Sequence, residues 1–344
     1  LVSSFVVNPM ALRWFFVTYI AAFMKMGQEG ITGYITGSLV WENQGTPRLN
    51  GPTPSYAHPN SFAGTQLSTV PFIFHFWKLA SRWARLALAF AGGAAVLVTM
   101  ASGSRTAYVG VIVWGLFMFA RSRAKGRAML VILGLLFAAP MVVPSQYVAR
   151  FETIFTQKDA EGASIDARKE ILRDAIAIAI DHPFGVGLDG FVAVRTAAFG
   201  RTQDTHNTYL QVFTNFGVLG FVVFIGFVAS VCRTLWKSEK RGRLLAEALR
   251  TLKASQSGET AAIDAHIRDA ELVRAAAAGV LGFIIIRLAL GMFGHDLYER
   301  YWWFAAGFAI ALARMIDIAE ARFESAFGLA VGAVRSHPSR APRQ

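Results

Sequence analysis

Residues 86–120 read LALAFAGGAAVLVTMASGSRTAYVGVIVWGLFMFA. Two apolar runs, 86–103 and 106–120, are joined by the tight turn Ser102-Gly103-Ser104-Arg105. A bilayer-spanning helix needs roughly 17 to 25 mostly apolar residues, so these runs read as two antiparallel spans with no room for a conventional loop between them. The same pattern extends outward. About eight candidate spans lie near 9–27, 60–77, 86–103, 106–120, 128–143, 206–231, 275–294 and 301–315, the first interrupted by Arg13 and Lys25. The 344 residues are 54% hydrophobic and only 16% charged. A soluble domain carries nearer a quarter charged residues, so the composition excludes an ordinary cytosolic enzyme. The fold class is all-α, a polytopic transmembrane helical bundle.

A formal net charge of +12 would suggest nucleic acid in a soluble chain, but here the basic residues stand between apolar runs and imply no nucleic-acid partner. Lys78, Arg82 and Arg85 follow the second span, Arg121, Arg123, Lys125 and Arg127 the fourth, and Arg233, Lys237, Lys240, Arg241 and Arg243 the sixth. The positive-inside rule makes these linkers cytoplasmic and the alternate ones, 28–59, 102–105, 144–205 and 295–300, outward. The expected organisation is therefore N-terminal helices over 1–143, an outer loop over 144–205, C-terminal helices over 206–315 with an inner hairpin at 233–274, and a cytoplasmic tail over 316–344. The start at Leu1 suggests truncation. The single Cys232 makes no internal disulfide, and no Cys/His spacing for zinc is present.

The inner hairpin, rich in Arg, Lys, Glu and Ala, reads as a solvated helical pair without chemistry. The outer loop contains Ile165, Leu172, Ile176 and Ala179 at helical spacing, with charged residues on its other faces. That predicts an amphipathic helix against the membrane or over a cavity, ending at His182-Pro183 because proline disfavours helix in the residue before it. Gly185-Val186-Gly187-Leu188-Asp189-Gly190 satisfies the GxGxxG pattern, but it follows a helix stop rather than a strand, so it reads as a glycine-rich turn leading back to the membrane.

Arg105 faces either a cavity and an anion, or snorkels to the outer headgroups. His206, in His206-Asn207-Thr208-Tyr209-Leu210 after Arg201 and Asp204, reads as general base, hydrogen-bond donor or interfacial residue. Arg48 and His58-Pro59-Asn60 stand at the outer mouth of the second span, and His295, Asp296, Glu299 and Arg300 read as a local salt-bridge network. The chain has no Asp-x-Asp pair, HExxH, P-loop or Gly-x-Ser-x-Gly elbow. Nucleotide-dependent transfer and zinc proteolysis therefore lose weight, and no metal or cofactor is expected.

Taken in order, Arg48-Leu49-Asn50-Gly51 with His58-Pro59-Asn60, Ser102-Gly103-Ser104-Arg105, Arg168 ahead of His182-Pro183-Phe184-Gly185-Val186-Gly187, and His206-Asn207-Thr208-Tyr209-Leu210 with Gly217-Val218-Leu219-Gly220 are similar to the O-antigen ligase and polymerase superfamily. The similarity runs from about residue 48 to 225. It implies a GT-C-like glycosyltransferase of the bacterial inner membrane, with a large, partly helical periplasmic loop, an active site facing the periplasm and no metal. Family members have around a dozen spans, which implies that four are lacking at the start of this chain. The implied donor is an undecaprenyl-diphosphate-linked glycan, and the implied acceptor a hydroxyl of lipid A core or of a growing polysaccharide, with membrane lipids around both. Polymerase and protein O-oligosaccharyltransferase branches share the motifs.

The resemblance carries diphosphate binding onto Arg105 and Arg168 and acceptor activation onto His206, with Arg48 a weaker transfer. Arg201 is added as a supporting guanidinium and Asp204 as a group to orient the imidazole. Guanidinium groups suit the charge that develops as a lipid diphosphate departs in an inverting transfer. A transporter or flippase is the reading of a different class. The sequence shows neither an internal repeat nor a pair of broken helices to support it.

Overall fold

The computed structural model describes residues 2–41, 47–130, 133–134, 163–255, 261–294, 296–327 and 331. Its helices begin where small polar residues cap them. Asn8 Oδ1 accepts from the Ala11 N–H at 2.8 Å and starts α2 (Pro9–Ile35), which follows the short α1 (Val2–Phe5). Ser81 caps α5 (Arg82–Ala101) and Ser104 caps α6 (Arg105–Arg121) in the same way. Each cap satisfies an amide that the helix itself leaves unpaired. The turn between α5 and α6 is as tight as the sequence requires, with Ser102 and Ser104 fully buried.

The second expected span is divided into α3 (Pro59–Leu67) and α4 (Val70–Phe76). Pro71 has no amide hydrogen to give the preceding turn. At the break Ser68 Oγ donates to the Gly64 carbonyl at 2.6 Å and Thr69 Oγ1 to that of Gln66 at 2.7 Å, beside the backbone amides of the same two residues. Ahead of α3, β1 (Val40–Trp41) and β2 (Arg48–Leu49) form a two-residue antiparallel ladder. The fifth expected span, 128–143, lies almost wholly outside the described residues.

Beyond the outer loop come α7 (Ala163–Asp181), α8 (Phe191–Phe199), α9 (Thr208–Ser255), α10 (Ala261–Gly291) and α11 (Tyr301–Phe327). Three described helices are long and apolar enough to cross a membrane: Arg82–Ala101, Thr208–Ala254 and Ala261–Gly291. The last of these is the axis of the molecule. Its Ala275–Leu281 run is buried throughout, and small side chains there let α4, α9 and α11 approach closely. Phe72, Phe283, Trp302, Phe308 and Leu312 fill the same core.

The charged segment 233–274 is a helical hairpin formed by the second half of α9 and the first part of α10. Leu245, Leu249, Leu252 and Ile263 close its interior with Phe323 of α11, which runs past the expected end of the last span. Arg250–Glu271, Lys253–Asp264 and Arg241–Glu320 lace its surface.

The sixth span departs from a continuous helix. Gly217 has φ 65° and ψ −167°, which breaks α9 nine residues after its start. Residues 208–216 thus pack with α7 and α8, and the apolar run resumes at Val218. Gly185 (φ 87°) lies against this break, and a Cβ on Gly217 would run into the Pro183 carbonyl, while one on Gly185 would meet that of Asn215. Only glycine suits both the left-handed backbone and this approach. The Gly185–Gly190 turn therefore docks on the break: Val186 and Gly187 N–H donate to the Thr214 and Asn215 carbonyls, both at 3.0 Å, and Val218 N–H donates to Pro183.

Candidate active site

Of the residues singled out in the sequence, Arg105 opens α6, Arg168 lies in the second turn of α7 and His206 stands just ahead of α9. Arg48 is buried at 5% exposure; its Nε donates to the Ser102 carbonyl at 2.7 Å and its Nη2 to Asn60 Oδ1 at 2.6 Å. It braces the turn that presents Arg105 at the first position of α6. Asn60 is fixed in turn by His58, whose Nδ1 accepts the Asn60 N–H at 3.1 Å.

Helix α7 has the expected apolar stripe turned outward at Leu172 and Ile176, and a second one that is buried. Ile171, Ala175 and Ile178 pack on Phe191 of α8 with Ala179 also buried, whereas Leu172 and Ile176 face outward. The helix has two apolar stripes, so spacing alone could not say which meets the protein. The outward stripe continues through Ile180, Phe184 and Leu188, all exposed.

Polar residues of α7 tie this region together. Asp174 is buried; it accepts from Arg195 Nε at 2.9 Å and from Arg201 Nη1 at 3.0 Å, and Arg195 also donates to the Gln203 carbonyl at 2.8 Å. Arg201 reaches Glu170 as well, at 2.7 Å. Arg195 has no exposed surface and was missed in the sequence; an arginine inside the otherwise apolar Phe191–Phe199 was the available signal. Arg168 lies on α7 with its guanidinium 5.9 Å from the Phe293 ring.

His206 is exposed and has φ 46°, a conformation that a non-glycine residue adopts at a cost of order 1–3 kcal/mol. The residues after it are firmly held. Asn207 Oδ1 caps α9 by accepting from Tyr209 N–H at 2.9 Å and Leu210 N–H at 3.1 Å, while its Nδ2 donates to the Met292 carbonyl. Thr208 Oγ1 donates to the Gly294 carbonyl and accepts the Asp296 N–H. The Asp204 carboxylate accepts the Thr205 N–H at 2.6 Å. In place of a purely local network in the turn before α11, the Asp296 carboxylate lies 3.6 Å from Arg287 of α10. His295 lies outside the described residues. Tyr298 joins the glycine turn to α9, its hydroxyl accepting from Asp189 N–H at 3.0 Å and from Asn215 Nδ2 at 2.8 Å.

Among the described residues no group of three or more His, Cys, Asp or Glu is placed to hold a metal ion. A cavity of about 540 Å³ lies at the other end of the bundle, between α4 and α6, lined by Trp77, Lys78, Trp114 and Arg274 among others. It contains none of the residues above.

Apolar membrane-length helices and an end furnished with arginines and an exposed histidine define a helical membrane protein. The O-antigen ligase family matches residues 87–225, a stretch that contains Arg105, Arg168, Arg201, Asp204 and His206. This supports the O-antigen ligase superfamily over that stretch. Comparison with curated proteins found no match.

Proposed function

We propose that the chain transfers a glycan from undecaprenyl diphosphate to an acceptor hydroxyl, without a metal, at the periplasmic face of the bacterial inner membrane. The observation that carries this reading is His206, exposed in a strained conformation, with its neighbours Asn207 and Thr208 held by Met292, Gly294 and Asp296 beside the Phe293 that lies against Arg168. His206 takes the proton of the acceptor hydroxyl as its oxygen attacks the anomeric carbon. The bond from that carbon to the diphosphate oxygen breaks, and the configuration inverts. Arg105 and Arg168 hold the departing diphosphate, whose charge grows as it leaves. Arg48 and Arg201 act one step back, bracing the segments that present those two. The exposed stripe Leu172, Ile176, Ile180, Phe184 and Leu188 rests in the membrane interface, which keeps α7 at the depth of a lipid diphosphate.

The test is transfer by purified protein in detergent, given lipid-diphosphate glycan and acceptor and no ion gradient. A glycosidic product is expected. Its absence with active lipid and folded protein defeats the proposal. Cells lacking the protein then separate the branches: ligase function leaves unligated lipid-linked polymer, polymerase function leaves single repeat units.

One observation favours a transporter as the second reading: two apolar spans are interrupted, at Ser68–Thr69 and at Gly217, a pair that the sequence pattern does not reveal. In transporters such breaks leave backbone groups for substrate or ion. Here the Thr214 and Asn215 carbonyls at the second break are engaged by the Val186 and Gly187 amides. The enzyme reading is therefore the stronger.

A further inference from the structure

Arg287 lies in the apolar run Gly282–Leu290, outside the family match, and is 3% exposed. A charge at such a place is costly and is retained where it has a partner or a task. Its guanidinium lies 3.5 Å from the centre of the Tyr301 ring, its Nη2 is 3.4 Å from Thr65 Oγ1, and its Nη1 is 3.6 Å from Asp296 Oδ2. Its Nε is buried without a hydrogen-bond partner among the described residues. Asp296 is thus its ion-pair partner, and Asp296 belongs to the turn against which the site is built. The Asp296 N–H donates to Thr208 Oγ1 at 3.0 Å and its carbonyl accepts from Trp302 Nε1 at 2.9 Å. Within the same turn, Gly294 accepts from Thr208, Met292 from Asn207, and Phe293 lies beneath Arg168.

We propose that Arg287 is a positioning residue for transfer: through Asp296 it fixes residues 292–294 and Asp296 itself, and these set both the His206–Thr208 segment and Arg168. The inference rests on the reading of His206 as base and Arg168 as diphosphate-holding group. Without the guanidinium, the Asp296 carboxylate loses its charge partner inside the bundle and turns toward water. The amide that meets Thr208 moves with it. A displacement of about 1 Å at a base is enough to lower a rate by up to about a hundredfold.

The experiment uses the full chain with Arg287→Gln, Arg287→Lys and Asp296→Asn, following backbone amide exchange and steady-state transfer. Arg287→Gln and Asp296→Asn are expected to raise exchange over 207–212 and 292–297 and to lower kcat by about tenfold to a hundredfold, with donor KM unchanged. Arg287→Lys, which keeps the charge, restores part of both. In a His206→Ala background, Arg287→Gln lowers the residual rate by less than it lowers the wild-type rate, since the part of its effect that acts through the base is already gone. Because Arg287→Gln alters the bundle interior directly, Asp296→Asn is the check in a variant whose changed side chain is partly exposed and keeps Arg287 in place. Unchanged exchange in both variants overturns the inference, as does raised exchange with full kcat. A raised donor KM at unchanged kcat also overturns it, and assigns Arg287 to the donor directly. Failure of the base reading shows separately, as normal transfer by His206→Ala alone.

Discussion

Asp174 and Asp264 each meet a basic side chain, at opposite ends of the molecule and in opposite surroundings. Asp174 is buried between Arg195, which has no exposed surface, and Arg201. Asp264 meets Lys253 at 2.6 Å with more than a third of each side chain in solvent. Removing one partner of a buried pair strands the other as an uncompensated charge, at about 3–5 kcal/mol, whereas an exposed pair contributes roughly 0–1 kcal/mol. The same chemistry therefore does two jobs. At the Asp174 end it fixes backbone that has few other reasons to hold its shape; along the hairpin it keeps a helical surface soluble.

The comparison is most severely tested at His206. His206→Ala should lose about 10² to 10⁴ in transfer rate while donor binding and folding persist. A near-normal rate would leave the two ends chemically alike. Next comes Asp174→Ala, expected to cost about 3–5 kcal/mol and to open residues 163–205 to amide exchange while the hairpin keeps its protection. A loss under 1 kcal/mol would reduce Asp174 to the standing of Asp264. Lysine at Arg105 or Arg168 keeps the charge but not the guanidinium fork. If these residues hold diphosphate, each variant loses about 1.5–3 kcal/mol of transition-state stabilisation, visible in kcat/KM at equal expression.

The smallest effects belong to the hairpin. Lys253→Ala should change stability by no more than about 1 kcal/mol. Glu271 adds a pH signature on the polar first part of α10, ahead of the apolar run that begins at Ala275. Burial pushes its carboxyl up, but hydrogen bonds from Arg250 and Arg274, with their charges, outweigh burial and hold it below its ordinary value of 4.5. With the folded value below the unfolded one, the stabilisation is complete above that ordinary value and is lost as pH falls through the folded one. Glu271→Gln should flatten this acid-side loss in a denaturation series.

Legibility in the sequence followed the range of the interactions. The α5–α6 turn, the charged hairpin and the start of α9 at Asn207-Thr208 were readable because caps, apolar runs and charge runs are local. Arg195, Asp174 and Arg287 were not, because each has its meaning only through a partner brought close by folding. A lone arginine in Gly282–Leu290 was a visible signal that went unused. The buried stripe of α7 and the break at Gly217 were not legible for a related reason: two apolar stripes compete on one helix, and a glycine in an apolar run does not announce which carbonyls another segment will claim.

The engagement of Gly185 with Gly217 bears on how the molecule is made. A bilayer accepts a helix by its hydrophobicity, and nothing in the apolar run around Gly217 tells it where the membrane part of α9 begins. That boundary is drawn when Val186 and Gly187 reach Thr214 and Asn215, after both segments have been synthesised and the turn has folded outside the lipid. Insertion and docking of the turn are thus separable, and a chain arrested between them would sit in the membrane with the segment ahead of Gly217 not yet in place.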